Sequence, residues 1–414
     1  MRILFVVHQF FPVYYTGTER LVLNLAKQMQ RMGHYVKVLT YAFGETDGFR
    51  REGDFLIKEY QYQGLPVISI RHKTVPSDIH FTIFDTSTEQ LLEKIFSSEE
   101  FDIIHLSHAM RVGSIIRVAQ KKKIPIILTL TDFWMMCPRA TSVTVKGELS
   151  RSPDGGLACV EKCYEETWKD RIISRLNEAH DIMKVVDFVA APTYFLADRI
   201  KTEFNRDVKV VRHGIDYVYY DIKPNENVKQ KYDNVIFGYI GTILPHKGLH
   251  IVMEALKLLK NENIRVKIYG HYFDQKEYHD NLVNMTRGDD RVVFLGQYKD
   301  EDLNEIMNEI DCILVPSIWW ENSPLTALTS LAFKVPVLTT NVGGVAELVK
   351  DGVNGFNFEI GNPASLAKMM KKITENPEIL SEIKSGIVRP RRLEEEAFEY
   401  EEIMLRAVEN HQEI

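Results

Sequence analysis

The chain has 414 residues, 45% hydrophobic and 26% charged, with 51 Lys and Arg against 58 Asp and Glu for a net charge of −7. At about 100–200 residues per domain this length predicts two or three domains and excludes a single small module. The acidic balance argues against a nucleic-acid partner, because phosphate neutralisation needs a concentrated excess of Lys and Arg.

The N-terminal run 3–7 is too short for a signal peptide, and no uncharged apolar stretch reaches the ~20 residues that cross a bilayer. Cys137, Cys159, Cys163 and Cys312 are too few for a disulfide framework in a chain this long, which predicts a cytoplasmic protein. Short β-branched runs then alternate with longer amphipathic stretches, the pattern of βα units feeding parallel sheets, so the fold class is α/β. In the first half the predicted strands are 3–7, 36–40, 67–70, 103–106, 124–129, 185–191 and 208–211. A helix is predicted over 19–32, where Val22, Leu25, Met29 and Met32 recur at helical spacing before Gly33. The polar segment 213–233, punctuated by Gly214 and Pro224, reads as an interdomain linker.

The second half repeats the scheme, with strands predicted at 235–240, 266–269, 292–295, 312–315 and 335–339 and a helix at 251–260. A charged amphipathic helix follows Pro390. This pattern predicts domains 1–212 and 213–390, two doubly wound Rossmann-like sheets in tandem, with the tail 391–414 helical. Such sheets bind ligands at the carboxyl ends of their strands, which places the expected active site in a central cleft between the domains.

Three strand-end loops carry chemistry. In the first, Gly17 lets backbone approach a ligand and the following helix start favours an anion such as a diphosphate; equally, Gly17 is a turn and Thr18 an N-cap. The second runs from Gly238 through Gly241 and Thr242 to Lys247 and Gly248, where an ammonium group can neutralise a leaving diphosphate; equally, Lys247 taken alone is a solvated helix-start lysine, and the loop lacks the spacing of a Walker loop. The third, Ser317-Ile318-Trp319-Trp320-Glu321-Asn322-Ser323-Pro324-Leu325, crowds aromatics, a carboxylate, an amide and hydroxyls together, as suits polyhydroxy compounds. Glu321 leads that group; as a purely structural loop, the same segment would use Ser323 to cap the next helix.

These segments together resemble the GT-B fold glycosyltransferases, most closely the retaining, metal-independent family 4 group that uses nucleotide-sugar donors. The resemblance is carried by Pro12 and Gly17-Thr18-Glu19, Asp102-Ile103-Ile104-His105, Thr131-Asp132-Phe133-Trp134 with Cys137-Pro138-Arg139, His213-Gly214-Ile215-Asp216, Gly241 to Gly248, Glu321 to Leu325 and Val342-Gly343-Gly344. It implies a C-terminal domain holding a nucleoside-diphosphate sugar, an N-terminal domain holding a glycan or lipid-linked acceptor, and a last helix that returns to the first domain. Lys247 then contacts the diphosphate, Glu321 the sugar hydroxyls, and Asn322, Ser323, Pro324 and Leu325 the sugar and phosphates, with Gly17, Gly241 and Thr242 beside them. The sequence departs from the family pattern at Thr329, where a ribose-binding Glu is usual; at Thr242, where a basic residue is common; and at Thr131, where a His often precedes the Asp. Asp132 and His108 are the remaining polar candidates beside the reacting sugar.

No cofactor or metal is expected. Asp300-Glu301-Asp302 superficially matches a metal-binding DxD, but it opens a helical pattern where acidic residues favour the first turn. Cys137, Cys159 and Cys163 fall one ligand short of a closed zinc site and read as free thiols, with a zinc clip or a redox-sensitive pair as the alternatives. Arg117 and Lys121-Lys122-Lys123 offer peripheral contact with anionic lipid at the inner face of the cell membrane, or are solvated helix-end charges. The predicted activity is sugar transfer in surface polysaccharide or glycolipid assembly. The alternatives are a catalytically weak nucleotide- or glycan-binding partner subunit, and a sugar-nucleotide hydrolase or epimerase.

Overall fold

The computed structural model describes residues 1–44, 47–97, 99–222, 233–259 and 263–412. The chain divides into two compact units, Met1–His213 with Leu393–Ile414, and Gly214–Arg392. Much of the predicted linker, residues 223–232, lies outside the described residues.

The first unit is built on strands β1 (Arg2–Val7), β2 (Tyr35–Tyr41), β3 (Arg50–Glu52), β4 (Phe55–Tyr62), β5 (Leu65–His72), β6 (Ile103–Leu106), β7 (Ile126–Thr129), β8 (Phe188–Ala191) and β9 (Lys209–Val210). Their order in the sheet is β3-β4-β5-β2-β1-β6-β7-β8-β9. Central strand β1 pairs in parallel with β2 (Ile3 opposite Val36) and with β6 (Ile3 opposite Ile103). Its residues from Ile3 to Val7 are all buried, as a strand covered on both faces requires. β3 and β4 pair antiparallel and extend one edge. They escaped the sequence reading because their charged residues, Arg50, Arg51, Lys58 and Glu59, interrupt any β-branched run.

The helix Gly17–Arg31 lays Val22, Leu25 and Met29 on the sheet. The C-terminal helix Leu393–Gln412 joins the same core through Ala397, Tyr400, Ile403, Met404 and Ala407. The predicted strand 185–191 is shorter than expected. Val185 closes the helix Lys169–Val185, and the strand starts at Phe188.

The second unit contains β10 (Val235–Ile240), β11 (Ile264–Tyr269), β12 (Val292–Gly296), β13 (Cys312–Val315), β14 (Val337–Thr340) and β15 (Gly355–Phe358). These run parallel in the order β12-β11-β10-β13-β14-β15. β15, in which Gly355 and Asn357 alternate with Phe356 and Phe358 and leave no β-branched run to read, completes the edge.

Each sheet reverses its direction of growth beside a central strand, at β1/β6 in the first unit and at β10/β13 in the second. Loops leaving the carboxyl ends there diverge to opposite sides and leave a crevice. The predicted site residues follow these strands.

Candidate active site

In the second unit, β10 leads through Gly241 and Thr242 into a short 3₁₀ turn, Pro245–Lys247, and then the helix Leu249–Leu258. The turn is locked to the loop after β13. Ile318 N–H donates to the His246 carbonyl at 2.9 Å. Gly248, at φ +74°, passes so close that a Cβ there would lie 2.0 Å from the Pro316 carbonyl oxygen, so no other residue fits.

That registration brings together the two side chains singled out from sequence. Lys247 Nζ lies 2.7 Å from Glu321 Oε1. The same oxygen accepts Ser317 Oγ–H at 2.6 Å and Trp319 Nε1–H at 2.8 Å, and the ammonium lies 4.9 Å from the Trp319 ring centroid. All three bonds use Oε1, so among the described residues the carboxylate is oriented without engaging Oε2. Burial by itself would raise the Glu321 pKa, but the Lys247 charge and the bonds from Lys247, Ser317 and Trp319 outweigh it and hold the group below its ordinary value. The loop after β14 supports this from behind: Gly344 N–H donates to the Glu321 carbonyl at 2.7 Å. Gly343, at φ +72°, leaves room for that carbonyl, which a Cβ would approach to 2.8 Å.

Asn322 is buried, and Ser323 and Pro324 are half-buried at the start of the helix Leu325–Ala332. The cap position is Pro324 and no side chain caps the helix, so the alternative reading of Ser323 as its cap does not hold. Thr329 is buried on that helix, while Thr326 Oγ1 ties it to the Ile240 carbonyl at 2.9 Å. The Thr242 carbonyl accepts from Tyr239 at 2.6 Å. Asp300–Asp302 form a 3₁₀ turn ahead of the helix Leu303–Glu309, with the Asp302 carboxylate accepting Lys299 N–H at 3.0 Å.

In the first unit, His108 and Asp132 meet at 3.5 Å (Nε2 to Oδ2) in the loops after β6 and β7. Two groups not singled out from sequence join them. The His8 ring lies 4.0 Å from that of His108, and His8 Nε2 is 3.7 Å from Glu19 Oε1. Burial, aided by the nearby His108 and Arg111, drives the His8 pKa well down, so that imidazole is neutral. Burial raises that of Glu19 despite its bonds from Thr16 and Gln9. The sequence signal for both was position: His8 is the first residue past β1 and Glu19 lies in the first turn of the helix. That helix begins at Gly17, with Thr16 in the cap position, so Thr18 is not its cap. Thr18 instead donates to Thr131 Oγ1 at 3.0 Å. A Cβ on Gly17 would meet nothing within 4 Å. The space above it is open.

The cysteines are free thiols. No group of three or more His, Cys, Asp or Glu side chains among the described residues is placed to hold a metal ion. Of the basic cluster, Lys121 bonds Glu89 and Glu93, and Arg117 lies 3.5 Å from Glu89. Among the described residues no helix is long and apolar enough to cross a membrane.

Two family profiles match the chain: Glycosyltransferase Family 4 over residues 15–218 and Glycosyl transferases group 1 over residues 221–387. The uncharacterised glycosyltransferase MJ1607 of Methanocaldococcus jannaschii is 22% identical over 382 residues, covering 89% of this chain and 87% of its own. The N-acetyl-alpha-D-glucosaminyl L-malate synthase of Bacillus anthracis is 22% identical, over 88% and 84%. Among solved structures, Anabaena Alr3699/HepE in complex with UDP and glucose superposes with a TM-score of 0.68 at 18% identity, over 98% of this chain and 99% of that one. With tandem parallel-sheet units and profiles that together run from residue 15 to 387, the chain belongs to the GT-B glycosyltransferases of family 4, group 1, and is a transferase enzyme.

Proposed function

We propose that the protein is a retaining, metal-independent glycosyltransferase that moves a sugar from a nucleoside diphosphate, such as UDP, to a glycan or lipid-linked acceptor in polysaccharide or glycolipid assembly. The observation that carries this reading is the Lys247–Glu321 pair at the carboxyl ends of β10 and β13, 2.7 Å apart and backed by Trp319. An ammonium neutralises the departing diphosphate, and a carboxylate whose Oε1 is already saturated offers Oε2 to sugar hydroxyls. Asn322 to Leu325 add backbone groups at a helix start, where N–H groups favour phosphate oxygens. Gly241 and Thr242 border the same crevice, Thr329 takes the ribose, and the open space over Gly17 suits a phosphate oxygen.

In the first unit, Asp132 and His108 stand at the acceptor. The acceptor hydroxyl attacks the anomeric carbon on the face from which the diphosphate leaves. The bond from that carbon to the phosphate oxygen breaks as the new C–O bond forms, and the hydroxyl proton passes to the leaving phosphate. No carboxylate nucleophile is required, and charge stabilisation carries the rate. Metal independence is supported by Asp300–Asp302 being occupied in a helix start, which leaves the countercharge to Lys247. The free cysteines support a reducing, cytoplasmic setting.

The test is a panel of UDP-, GDP- and ADP-sugars with candidate acceptors in the presence of a chelator. Nucleotide release that depends on acceptor supports transfer, release without acceptor supports hydrolysis, and binding without turnover supports a partner subunit. Loss of turnover with chelator overturns metal independence. An inverted anomeric centre by NMR overturns retention. Glu321→Gln is expected to lower kcat by roughly 100-fold or more while the fold is retained.

A further inference from the structure

One buried cation in the first unit is not used by the fold. Arg111 is 7% exposed in the loop after β6, and among the described residues its buried Nε and Nη1 have no hydrogen-bond partner. Among the described residues its side chain makes no ion pair; its guanidinium lies 4.8 Å from the Phe43 ring centroid and 5.8 Å from that of Tyr41. Arg175, fully buried, also leaves its Nε unbonded, but it stacks on Trp134 at 4.1 Å and donates through its two Nη groups to the carbonyls of Met135 and Trp134. Leaving a guanidinium buried and unpaired is strongly unfavourable, and aromatic faces offset only part of that. The backbone holds it there nevertheless, with Arg111 at φ +68° and its N–H bonded to the Thr82 carbonyl at 2.9 Å.

Phe43 and Tyr41 also wall a cavity of about 190 Å³ at the carboxyl ends of β1 and β2, together with Tyr14, Phe49, Tyr60 and Lys58. Lys58 Nζ lies 5.6 Å and 5.8 Å from the Phe49 and Tyr60 rings. An unpaired guanidinium and an aromatic-walled cavity thus share two residues.

We infer that Arg111 is an anion receptor and that the acceptor is an anionic molecule, its carboxylate or phosphate bonded by Arg111 and its uncharged ring or chain seated between Phe43, Tyr41 and Lys58. This rests on the transferase reading and adds to it the acceptor's chemical class. A planar fork with unused N–H groups matches two oxygens of one anion, whereas a neutral sugar would leave the charge unpaired.

The experiment uses the full chain and phenyl phosphate as probe, with phenol as the neutral control and UDP as the donor-side competitor, read by calorimetric titration and thermal melting. Phenyl phosphate is expected to bind and phenol not. Arg111→Met is expected to weaken phenyl phosphate by at least about tenfold, and Arg111→Lys by less, since it keeps the charge without the fork. Arg111→Met is also expected to melt no lower than the parent in the absence of probe, because it removes an unpaired buried charge. A lower melting temperature would make Arg111 structural, and equal binding of phenol and phenyl phosphate would remove the anion; either overturns the inference. Displacement of phenyl phosphate by UDP, or weaker UDP binding in Arg111→Met, would assign the residue to the donor and also overturn it. Nucleotide-sugar turnover by the parent is scored separately. Phenyl phosphate bound without any turnover sinks the transferase reading and not the anion site, while turnover without phenyl phosphate binding does the reverse.

Discussion

At the scale of single residues, Ser317→Ala removes a buried bond to the ionised Glu321 carboxylate and is expected to cost about 1.5–3 kcal/mol in urea unfolding. It is also expected to raise the KM for donor, because Glu321 loses one of the bonds on Oε1 that orient it. Lys247 and Glu321 were legible in the sequence because each follows a strand in a loop whose composition suits its task. Their 2.7 Å contact was not, since it depends on Gly248 packing against Pro316 and on β10 and β13 being neighbours. Arg111 and His8 were still less visible, because an ordinary Arg and His acquire meaning only from burial and from what surrounds them. A second expectation concerns pH. With Lys247 present, the Glu321 carboxyl titrates below the ordinary glutamate value, so its stabilising contribution is full above that value and is lost as pH falls through the depressed pKa. Lys247→Met deletes the countercharge but leaves the burial and the bonds from Ser317 and Trp319, so the titration moves upward. Trp319 reports it, since its indole donates to Oε1; tryptophan fluorescence with an unmoved midpoint in the variant would contradict this account.

At the scale of elements, period-based reading recovered most of the buried parallel strands and the helices Gly17–Arg31, Leu249–Leu258 and Leu393–Gln412, but not the helices Lys169–Val185 and Pro363–Glu375. It missed β3 and β4, whose half-exposed antiparallel pairing carries charged residues, and β15, which is held by its neighbour rather than by its own sequence. The helix Leu393–Gln412 was legible as a helix, whereas its return to the first unit followed from the family resemblance. It is joined to β6 and β7 by a buried chain: His105 Nε2 and Thr129 Oγ1 are 2.7 Å apart, and Thr129 donates to Tyr400 Oη at 3.0 Å. His105 Nδ1 is buried without a partner among the described residues, so protonation there would place an unbonded N–H and a charge in an apolar core. Burial accordingly lowers the His105 pKa to about 3. Because the unfolded value lies near ~6.5, the unfolded chain binds more protons between those limits. Stability is therefore full above the unfolded value and falls as the pH drops toward the folded one, with a slope of up to ~1.4 kcal/mol per unit from this group. His8 contributes with the same sign, so the measurement is the difference between parent and His105→Gln. The variant is expected to show a shallower loss of melting temperature between mildly acidic and neutral pH; equal slopes would mean His105 is accessible to protons in the folded state.

For the whole molecule, the decisive feature is that the first unit is closed by residues from the far end of the chain. Tyr400, Ile403 and Met404 are each buried in the same core as β1 and the helix Gly17–Arg31. Around them His213 Nδ1 lies 2.9 Å from Glu396, His34 Nε2 2.7 Å from Glu401 and Lys209 Nζ 3.2 Å from Glu399. Burying a large apolar side chain is worth about 1.5–3 kcal/mol, so losing three of them with their polar fringe is comparable to the ~5–15 kcal/mol that holds a typical domain folded. The second unit, Gly214–Arg392, has its own sheet and a core drawn wholly from its own residues. A chain ending at Arg392 is therefore expected to lose amide protection across β1, β6 and β7 while keeping it across β10, β13 and β14 in hydrogen exchange. If the donor is held as proposed, UDP should still protect residues 241–248 and 316–325 in that truncated chain, although sugar transfer is lost. Unchanged protection of β1 would show that the last helix contributes little to the first core. Loss of UDP protection with the second sheet still intact would place donor binding outside Lys247 and Glu321, and the assignment of chemistry to the second unit would fall with it.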